Sequence, residues 1–282
     1  MRTRRMLLAA ALTLALLCAA CGAPAETVGQ DTFTYQGFSY TVGEDGSATL
    51  TGWSGRAERL EVPALLDGHP LTAVGNWAFE NQTGLVEVLL PEGVTELGRY
   101  AFCGCSSLTR IRLPESLKAI GDCCFILCTH LEELTLPAAC TRLGANPFAY
   151  CGDLTEFSLT EGPLTLVDGC MIYHRIDRRL ISVLAPKVPQ ELTLPADCVT
   201  VGRYAVVGCS ALEALNLPAT VQSVELYGVY HCVTLSRVSA SAALSQIGDG
   251  AFTWCDRLTV HAPAGSALAQ YCAEHEIPVI AE

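Results

Sequence analysis

The pentapeptide Gly75-Asn-Trp-Ala-Phe79 decides the fold, because variants of it recur along the chain at a fixed spacing. Six further copies begin 23 residues apart, except for a 58-residue gap after the fourth copy: Gly98, Gly121, Gly144, Gly202, the degenerate Glu225, and Gly248. Self-similarity with a period in the low twenties is typical of a repeat array. The sequence therefore predicts stacked coils, each in contact mainly with its neighbours.

Each copy is followed by a short run in which apolar and polar residues alternate. Leu108-Thr-Arg-Ile-Arg-Leu-Pro114 and Leu131-Glu-Glu-Leu-Thr-Leu-Pro137 show the pattern. Alternation over so short a run predicts a β-strand with one buried face, and proline ends the strand because it cannot donate to a ladder. A second apolar pair, such as Leu117 and Ile120, precedes each repeat start. No single unit can bury these side chains alone, so we expect successive units to stack on a shared core.

These residues resemble the BspA-like bacterial leucine-rich repeats, whose pattern is close to Ile-Gly-x-x-Ala-Phe-x-x-Cys-x-x-Leu-x-x-Ile-x-Leu-Pro. The resemblance extends from about Val62 to Pro263. It implies a curved solenoid with a parallel strand ladder on one face and irregular turns on the other. It also implies surface-exposed adhesion or recognition, and no chemistry is characteristic of the family. We therefore expect a mainly β leucine-rich-repeat solenoid over residues 63–263, with no catalytic residue, cofactor or metal.

The segments that flank the array predict a cap at each end. Residues 33–62 hold two alternating runs around the turn Gly43-Glu-Asp-Gly46, which predicts an N-terminal β-hairpin cap over the first coil. Residues 264–282 contain a helix-forming run, 267–275, preceded by Ser266 as N-cap, which predicts a C-terminal helical cap.

The gap between Gly144 and Gly202 equals two periods plus 12 residues. This predicts an insertion around residues 160–195, with a β-hairpin turning near His174 to Arg179. A structural insertion is one interpretation, and a binding loop on a rigid scaffold is the other.

The N-terminus is typical of an export signal. A basic start and an apolar run, Met6 to Leu17, predict a lipoprotein signal peptide over residues 1–20. Leu17-Cys-Ala-Ala-Cys21 resembles a bacterial lipobox, which implies a lipid anchor on Cys21 and a tether over residues 21–32. Because Cys18 replaces the usual leucine, ordinary cleavage near Ala23 or Ala25 is the alternative. We expect an exported, cell-surface monomer that contacts the membrane only through this lipid.

The charge balance argues against nucleic-acid partners. The chain has 17 Lys and Arg against 29 Asp and Glu, a net charge of -12. Removal of Arg2, Arg4 and Arg5 with the signal peptide makes the net charge -15. A protein that binds nucleic acid without sequence preference needs a surplus of positive charge to displace counterions from phosphates.

Six of the 15 cysteines occupy the same position in successive repeats. They stand seven residues past the repeat starts: Cys105, Cys128, Cys151, Cys209, Cys232 and Cys255. A small buried slot suits a free thiol. Disulfides and zinc are the rival interpretations, but equivalent side chains point in parallel, and neither Cys103 with Cys105 nor Cys123 with Cys124 has C-x-x-C spacing. The sequence therefore favours a ladder of buried thiols.

The residues between the buried leucines of each strand point outward, and their chemistry varies from unit to unit. They predict a face that binds a protein or glycan partner: Arg110, Arg112, Glu133, Thr135, Glu156, Ser158, Glu213, Asn216, Arg237 and Ser239. An alternative is an aromatic patch two residues past the repeat starts, at Trp77, Tyr100, Tyr204 and Tyr227. These rings either hold a sugar or pack against one another between coils.

Two other functions compete with non-catalytic binding. One is a structural envelope scaffold whose repeats space other parts. The other is a hydrolase with its site in the 159–201 insertion, although the chain has no H-E-x-x-H, phosphate-loop or G-x-S-x-G motif.

Overall fold

The structure is a computed structural model that describes residues 31–160 and 162–282. The predicted signal peptide, Cys21 and all but the last residues of the predicted tether lie outside the described residues. Within the described part the chain is a mainly β solenoid with parallel strand ladders, which confirms the predicted fold class.

The alternating runs form a first ladder of parallel strands, in two sheets of five strands each. One sheet holds β4 (Arg59–Glu61), β7 (Glu87–Leu89), β9 (Arg110–Arg112), β11 (Glu133–Leu136) and β13 (Glu156–Leu159). The other holds β17 (Glu191–Thr193), β20 (Ala214–Asn216), β23 (Arg237–Ser239), β25 (Thr259–Ala262) and β26 (Val279–Ala281). The register advances one repeat per strand, as in Glu87 opposite Arg110. Equivalent residues of successive coils therefore lie side by side.

The apolar pair before each repeat start forms a second ladder of mostly two-residue strands. In the first half of the chain these are β6 (His69–Val74), β8 (Glu96–Leu97), β10 (Ala119–Ile120) and β12 (Arg142–Leu143). In the second half they are β18 (Thr200–Val201), β21 (Ser223–Val224) and β24 (Gln246–Ile247). Two further two-residue strands, β19 (Val206–Val207) and β22 (Val229–Tyr230), pair in parallel on the turn side.

The pentapeptide forms a tight turn that joins the second ladder to the next strand of the first. Two residues of the turn have left-handed backbone, Trp77 with φ 62° and Asn81 with φ 55°, and the same two positions are left-handed in the coils that follow. The N–H groups of Trp77, Phe79 and Asn81 donate to carbonyl oxygens of the next coil at 3.1, 2.8 and 2.7 Å. The turns are therefore regular and hydrogen-bonded, in contrast to the irregular turns that the resemblance implies.

The interior consists of columns of equivalent side chains. Phe79, Phe102, Phe125 and Phe148 stack with ring centroids 4.9, 5.4 and 5.9 Å apart. Every cysteine in the described residues is buried, and the six at the equivalent repeat position form no disulfide there, as their spacing predicts. The sulfur of Cys128 lies 3.1 Å from the carbonyl oxygen of Phe102 in the preceding coil. Each such thiol both fills space and donates a weak hydrogen bond.

Antiparallel strands cover the first coil. They are β1 (Phe33–Tyr35), β2 (Phe38–Val42) and β3 (Ala48–Trp53), and β3 pairs in parallel with β6. The predicted hairpin is therefore present, with one more strand because Gln36 and Gly37 make a second turn at positive φ. A short strand, β5 (Leu65–Leu66), pairs with the start of β6. β4 lies inside the range predicted for the cap, yet it pairs with β7 of the array.

The insertion is a three-stranded antiparallel sheet rather than a single hairpin. Its strands are β14 (Leu164–Val167), β15 (Met171–His174) and β16 (Arg179–Val183). The turn between β15 and β16 lies where the sequence predicts it. β16 pairs in parallel with β18, so the second ladder resumes there. A 3₁₀ turn, Ala185–Lys187, leads into β17, so the first ladder resumes within the range predicted for the insertion.

The insertion divides the core in two. Alternate side chains of its strands point to opposite sides, so Ile172 and Ile181 pack with the coils before it, whereas Met171 and Leu180 pack with the coils after it. We call residues 32–160 the first block and residues 185–282 the second block.

A helix closes the far end of the second block. Helix α1 (Ala267–Glu274) begins after Ser266, whose hydroxyl accepts a hydrogen bond from the Ala269 N–H at 3.3 Å. Its buried side chains, Leu268 and Cys272, cover the last coil. The chain then returns as β26, which pairs with β25.

Candidate functional site

Three strands of the first block line an open groove on the outer face of the first ladder. The groove has a volume of about 640 Å³ and is bordered by β9, β11, β13 and Lys187. We call it the ladder groove. Its floor comes from the apolar residues Ile111, Leu134 and Phe157, because the intervening positions of each strand face outward.

The ladder groove contains six of the ten residues that the sequence predicts for partner binding: Arg110, Arg112, Glu133, Thr135, Glu156 and Ser158. Parallel register places Arg110, Glu133 and Glu156 in one row, with Thr135 beside Ser158 in the next. The structure therefore brings these six together, although they come from three units of the sequence.

Part of this charge is neutralised within the chain. Arg110 forms an ion pair with Glu133, and the hydroxyls of Thr135 and Ser158 hydrogen-bond at 2.8 Å. In the described residues, Arg112, Glu156 and Lys187 form no ion pair. Glu115, which also lines the groove, forms no ion pair in the described residues either, so the rim offers two unpaired cations and two unpaired anions.

Of the other four predicted residues, Asn216, Arg237 and Ser239 lie on the separate sheet of the second block, and Glu213 directly precedes one of its strands. Arg237 pairs with Glu191 at 2.9 Å, and the Asn216 amide donates to the same carboxylate at 2.9 Å. Ser239 continues the row of Asn216. Glu213 is exposed but precedes β20, whose first residue is Ala214, so it occupies a different row from Arg237. The structure does not place this set in the ladder groove.

Sequence reasoning missed Lys187 as a groove residue. It belongs to the 3₁₀ turn after the insertion, outside the repeat motif, and only the return of the chain to the array brings it to the rim. The repeat pattern contains no signal for this position.

The alternative aromatic patch is not an exposed surface. Tyr100 and Tyr204 are only 1% and 2% exposed. Trp77 stacks on Tyr100 with centroids 4.0 Å apart, and Tyr204 stacks on Tyr227 at 5.3 Å. Trp77 and Tyr227 are half-buried, so the four rings pack as two pairs between coils, and Tyr100 and Tyr204 present almost no surface to a sugar.

A second cleft, of about 580 Å³, lies where the second ladder breaks at the insertion. Arg203 of the second block donates to Asp122 of the first block at 2.8 Å. Glu225 accepts two hydrogen bonds from Arg179, both at 2.5 Å. Although burial by itself raises the pKa of Glu225, the hydrogen bonds and charge of Arg179 hold it below its ordinary value. These charges are satisfied by one another, as expected for a contact that joins the two blocks.

The insertion contributes one histidine, His174, to the described residues. His174 contacts Asp177 at 2.9 Å across the β15–β16 turn, and in that part of the chain it hydrogen-bonds to no serine, threonine or cysteine. The described residues also contain no cluster of three or more side chains suited to a metal ion. None of the helices described is long and apolar enough to cross a bilayer.

Known proteins resemble this chain in sequence and in fold. The family model for the BspA type leucine-rich repeat region matches residues 66–174 and 188–264, in six copies. A leucine-rich repeat protein from Bacteroides capillosus is 30% identical; the match covers 46% of this chain and 99% of that protein, with a TM-score of 0.43. No curated protein matches the chain.

Two more distant solved structures are also similar to this chain, and the second of them shares its fold. The leucine-rich repeat protein of T. pallidum is 23% identical, with 89% of this chain and 98% of that chain covered and a TM-score of 0.49. One from Eubacterium ventriosum is 16% identical, with 83% and 73% covered and a TM-score of 0.58. With the repeat match over most of the array, the chain belongs to the BspA-type leucine-rich-repeat family.

Proposed function

We propose that this chain is a non-catalytic binding protein that presents its ladder groove to a protein or glycan partner. The observation that carries the proposal is that three successive coils place six outward residues of differing chemistry around one open groove. The residues beneath them are uniformly apolar. A rigid interior with a variable exterior is what a repeat protein needs in order to recognise a ligand.

The unpaired charges at the rim of the groove should contribute most of the electrostatic affinity for a partner. Arg112 and Lys187 can meet a partner without first giving up an ion pair. Arg110 and Glu133 would have to exchange their mutual contact for one with the partner, which returns little net free energy at an exposed site. We therefore expect Arg112 and Lys187 to contribute more than Arg110.

The proposal places the protein outside the cell. It takes the signal-peptide pattern of residues 1–20 and the lipobox-like Cys21 as an export signal and lipid anchor. The anchored chain is then a surface monomer that needs no cofactor. It binds no nucleic acid, in keeping with its net charge of -12.

Charge reversal tests this assignment. The exported chain would be screened against arrays of extracellular matrix proteins and glycans, and each hit titrated with Arg112→Glu and Lys187→Glu. We expect each variant to lower affinity by about tenfold or more. Lys118→Glu is the matched control, since Lys118 is equally exposed but precedes β10 on the second ladder. It should change affinity by less than about twofold.

Other outcomes would contradict the proposal. Equal losses in Arg112→Glu and Lys118→Glu would indicate non-specific charge attraction. Failure of every array to retain the chain would favour a structural scaffold. Hydrolysis of an array component that is abolished by changes in the insertion would favour an enzyme.

A further inference from the structure

The last coil of the second block ends in a small pocket that the ladder groove does not include. The pocket has a volume of about 280 Å³ and lies between the turn 252–256 and the C-terminal end of α1 with the residues that follow it. We call it the cap pocket. Trp254, Tyr271 and His275 supply its aromatic lining, and Asp256 and Glu276 supply carboxylates.

The cap pocket occupies the place that a further coil would fill. In five earlier coils the N–H six residues past the repeat start donates to a carbonyl of the next coil, at 2.7 to 3.1 Å: Asn81, Gly104, Leu127, Gly208 and His231. Trp254 holds this position in the last coil and has the same left-handed backbone, with φ 58°. Its N–H donates to no acceptor in the described residues.

The Trp254 ring also ends a row of packed aromatic rings on successive coils. The ring centroids of Tyr230 and His231, in the preceding coil, lie 5.1 and 5.6 Å from that of Trp254. No later coil covers Trp254 in turn, and the indole is half-buried at the pocket wall. An aromatic wall of this kind packs well against an apolar face of a ligand.

The α1 helix partly replaces the missing coil and shapes the pocket. The amides of Ala251 and Phe252 approach the Tyr271 hydroxyl closely enough to oppose the rise in its pKa that burial causes. The His275 ring stacks on Tyr271 with centroids 4.0 Å apart, and its Nδ1 donates to the Tyr271 carbonyl oxygen at 2.9 Å. When the ring is neutral, its other nitrogen, Nε2, is an acceptor.

The charge of the lining restricts the class of ligand. Neither Lys nor Arg lines the pocket, while Asp256 and Glu276 are both exposed and form no ion pair with another described residue. An anion would be repelled. A neutral ligand rich in hydroxyls satisfies the groups present, because its hydroxyls donate to the carboxylates and to Nε2 of His275, and one of its oxygens accepts from the Trp254 N–H.

We propose that the cap pocket binds a single neutral sugar residue, with the apolar face of the sugar against Trp254 and its hydroxyls on Asp256 and Glu276. The pocket is below the size range of sites for drug-sized ligands, which suits one pyranose ring. This site is separate from the ladder groove and does not depend on the function proposed for it.

Titration calorimetry of the exported chain with glucose, galactose and N-acetylglucosamine tests the proposal. We expect saturable binding of at least one of them, with a Kd in the millimolar range. Trp254→Ala should weaken it by about tenfold or more, whereas Trp254→Phe, which retains a ring, should weaken it much less. Asp256→Asn and Glu276→Gln should each weaken it several-fold.

Two variants serve as controls. Glu274→Gln removes an exposed carboxylate at the end of α1, and Glu274 does not line the cap pocket. Arg112→Glu alters only the ladder groove. Both should bind sugar like the unmodified chain. Because Trp254→Ala removes packing, its melting temperature is measured too, and the exposed carboxylate variants test the site if that coil unfolds.

The proposal is overturned if none of the three sugars binds the folded chain. It is also overturned if the carboxylate variants and Trp254→Ala bind sugar unchanged. Saturable binding of tetramethylammonium in place of sugar, lost in Glu276→Gln, would instead identify a cation site.

Discussion

The cysteine column shows how one small side chain meets two needs. Cys105, Cys128 and Cys151 fill equivalent interior slots, and each thiol lies 3.0 to 3.2 Å from the carbonyl oxygen of a phenylalanine in the preceding coil. Alanine would leave a void, and a larger aliphatic side chain would overfill the slot. Spacing alone identifies the column, but the hydrogen bond becomes visible only when the coils are stacked.

Burial of thiols makes the fold sensitive to alkali. Burial raises the pKa of Cys140, Cys198 and Cys272 from an ordinary value of 9.0 to about 11. The folded chain therefore retains these protons at a pH where the unfolded chain releases them. Their contribution to stability is complete below about pH 9 and is lost as the pH rises toward 11. We expect the urea midpoint to be flat from neutral pH to about pH 8.5 and to fall above pH 9.

A double variant separates the thiols from other alkaline effects. Cys140 and Cys198 occupy a slot that holds Val94 and Val221 in other coils. Cys140→Val with Cys198→Val should leave neutral stability nearly unchanged and make the alkaline fall shallower. An unchanged alkaline profile would show that other groups, such as tyrosines, control it.

At the scale of elements, the insertion is joined to the array by a buried polar contact. Asn146 is 1% exposed, its amide donates to the Tyr204 carbonyl oxygen at 2.6 Å, and its oxygen accepts from the Ser182 hydroxyl at 2.6 Å. One side chain thus links the last turn of the first block, β16 and the first turn of the second block. Buried groups of this kind are costly to leave unpaired.

Asn146→Ala should therefore lower the free energy of unfolding by about 2–3 kcal/mol, measured by urea denaturation. Asn76→Ala is the matched control, since Asn76 accepts from the Arg99 N–H at 2.8 Å but is exposed. It should cost less than about 1 kcal/mol. Because Ser182→Ala breaks the same contact from the other side, the double variant should be less destabilised than the sum of the singles. Strict additivity would disprove the coupling.

At the scale of the whole molecule, the two separate cores predict that each block unfolds as its own cooperative unit. The insertion separates the two buried apolar cores, and the first block meets the second directly through contacts such as Asn146 with Tyr204 and Tyr150 with His231. Stability in repeat proteins is close to a sum of units and nearest-neighbour interfaces. The junction replaces one such interface with a few polar contacts.

A substitution that destabilises one core should consequently leave the stability of the other core nearly unchanged. Leu134→Ala in the first block and Leu215→Ala in the second each empty a buried site and should cost about 2–5 kcal/mol. Amide hydrogen exchange should show reduced protection mainly in residues 32–160 for the first variant and 185–282 for the second. If either variant lowered protection equally throughout, the chain would be one cooperative unit.

The array itself could be predicted from local pattern. The glycine and phenylalanine spacing, the alternation before proline and the Ser266 cap are each visible within a few residues. The first ladder also includes β4, β17 and β26. β4 and β17 carry the apolar-x-apolar-Pro ending, as Leu60-Glu-Val-Pro63 and Leu192-Thr-Leu-Pro195, but no copy of the pentapeptide stands before either of them at the usual spacing.

The sequence by itself determined the solenoid, because each unit repeats the same apolar positions and such faces can be buried only by stacking on a neighbour. Only the tertiary structure decided where the chain departs from that rule. The contact of Asp122 with Arg203, the approach of Lys187 to the ladder groove, and the burial of Tyr100 against Trp77 depend on how coils meet in space. The first two arise beside the irregular 58-residue gap, which the period does not describe. The third depends on a left-handed turn that aromatic residues rarely adopt.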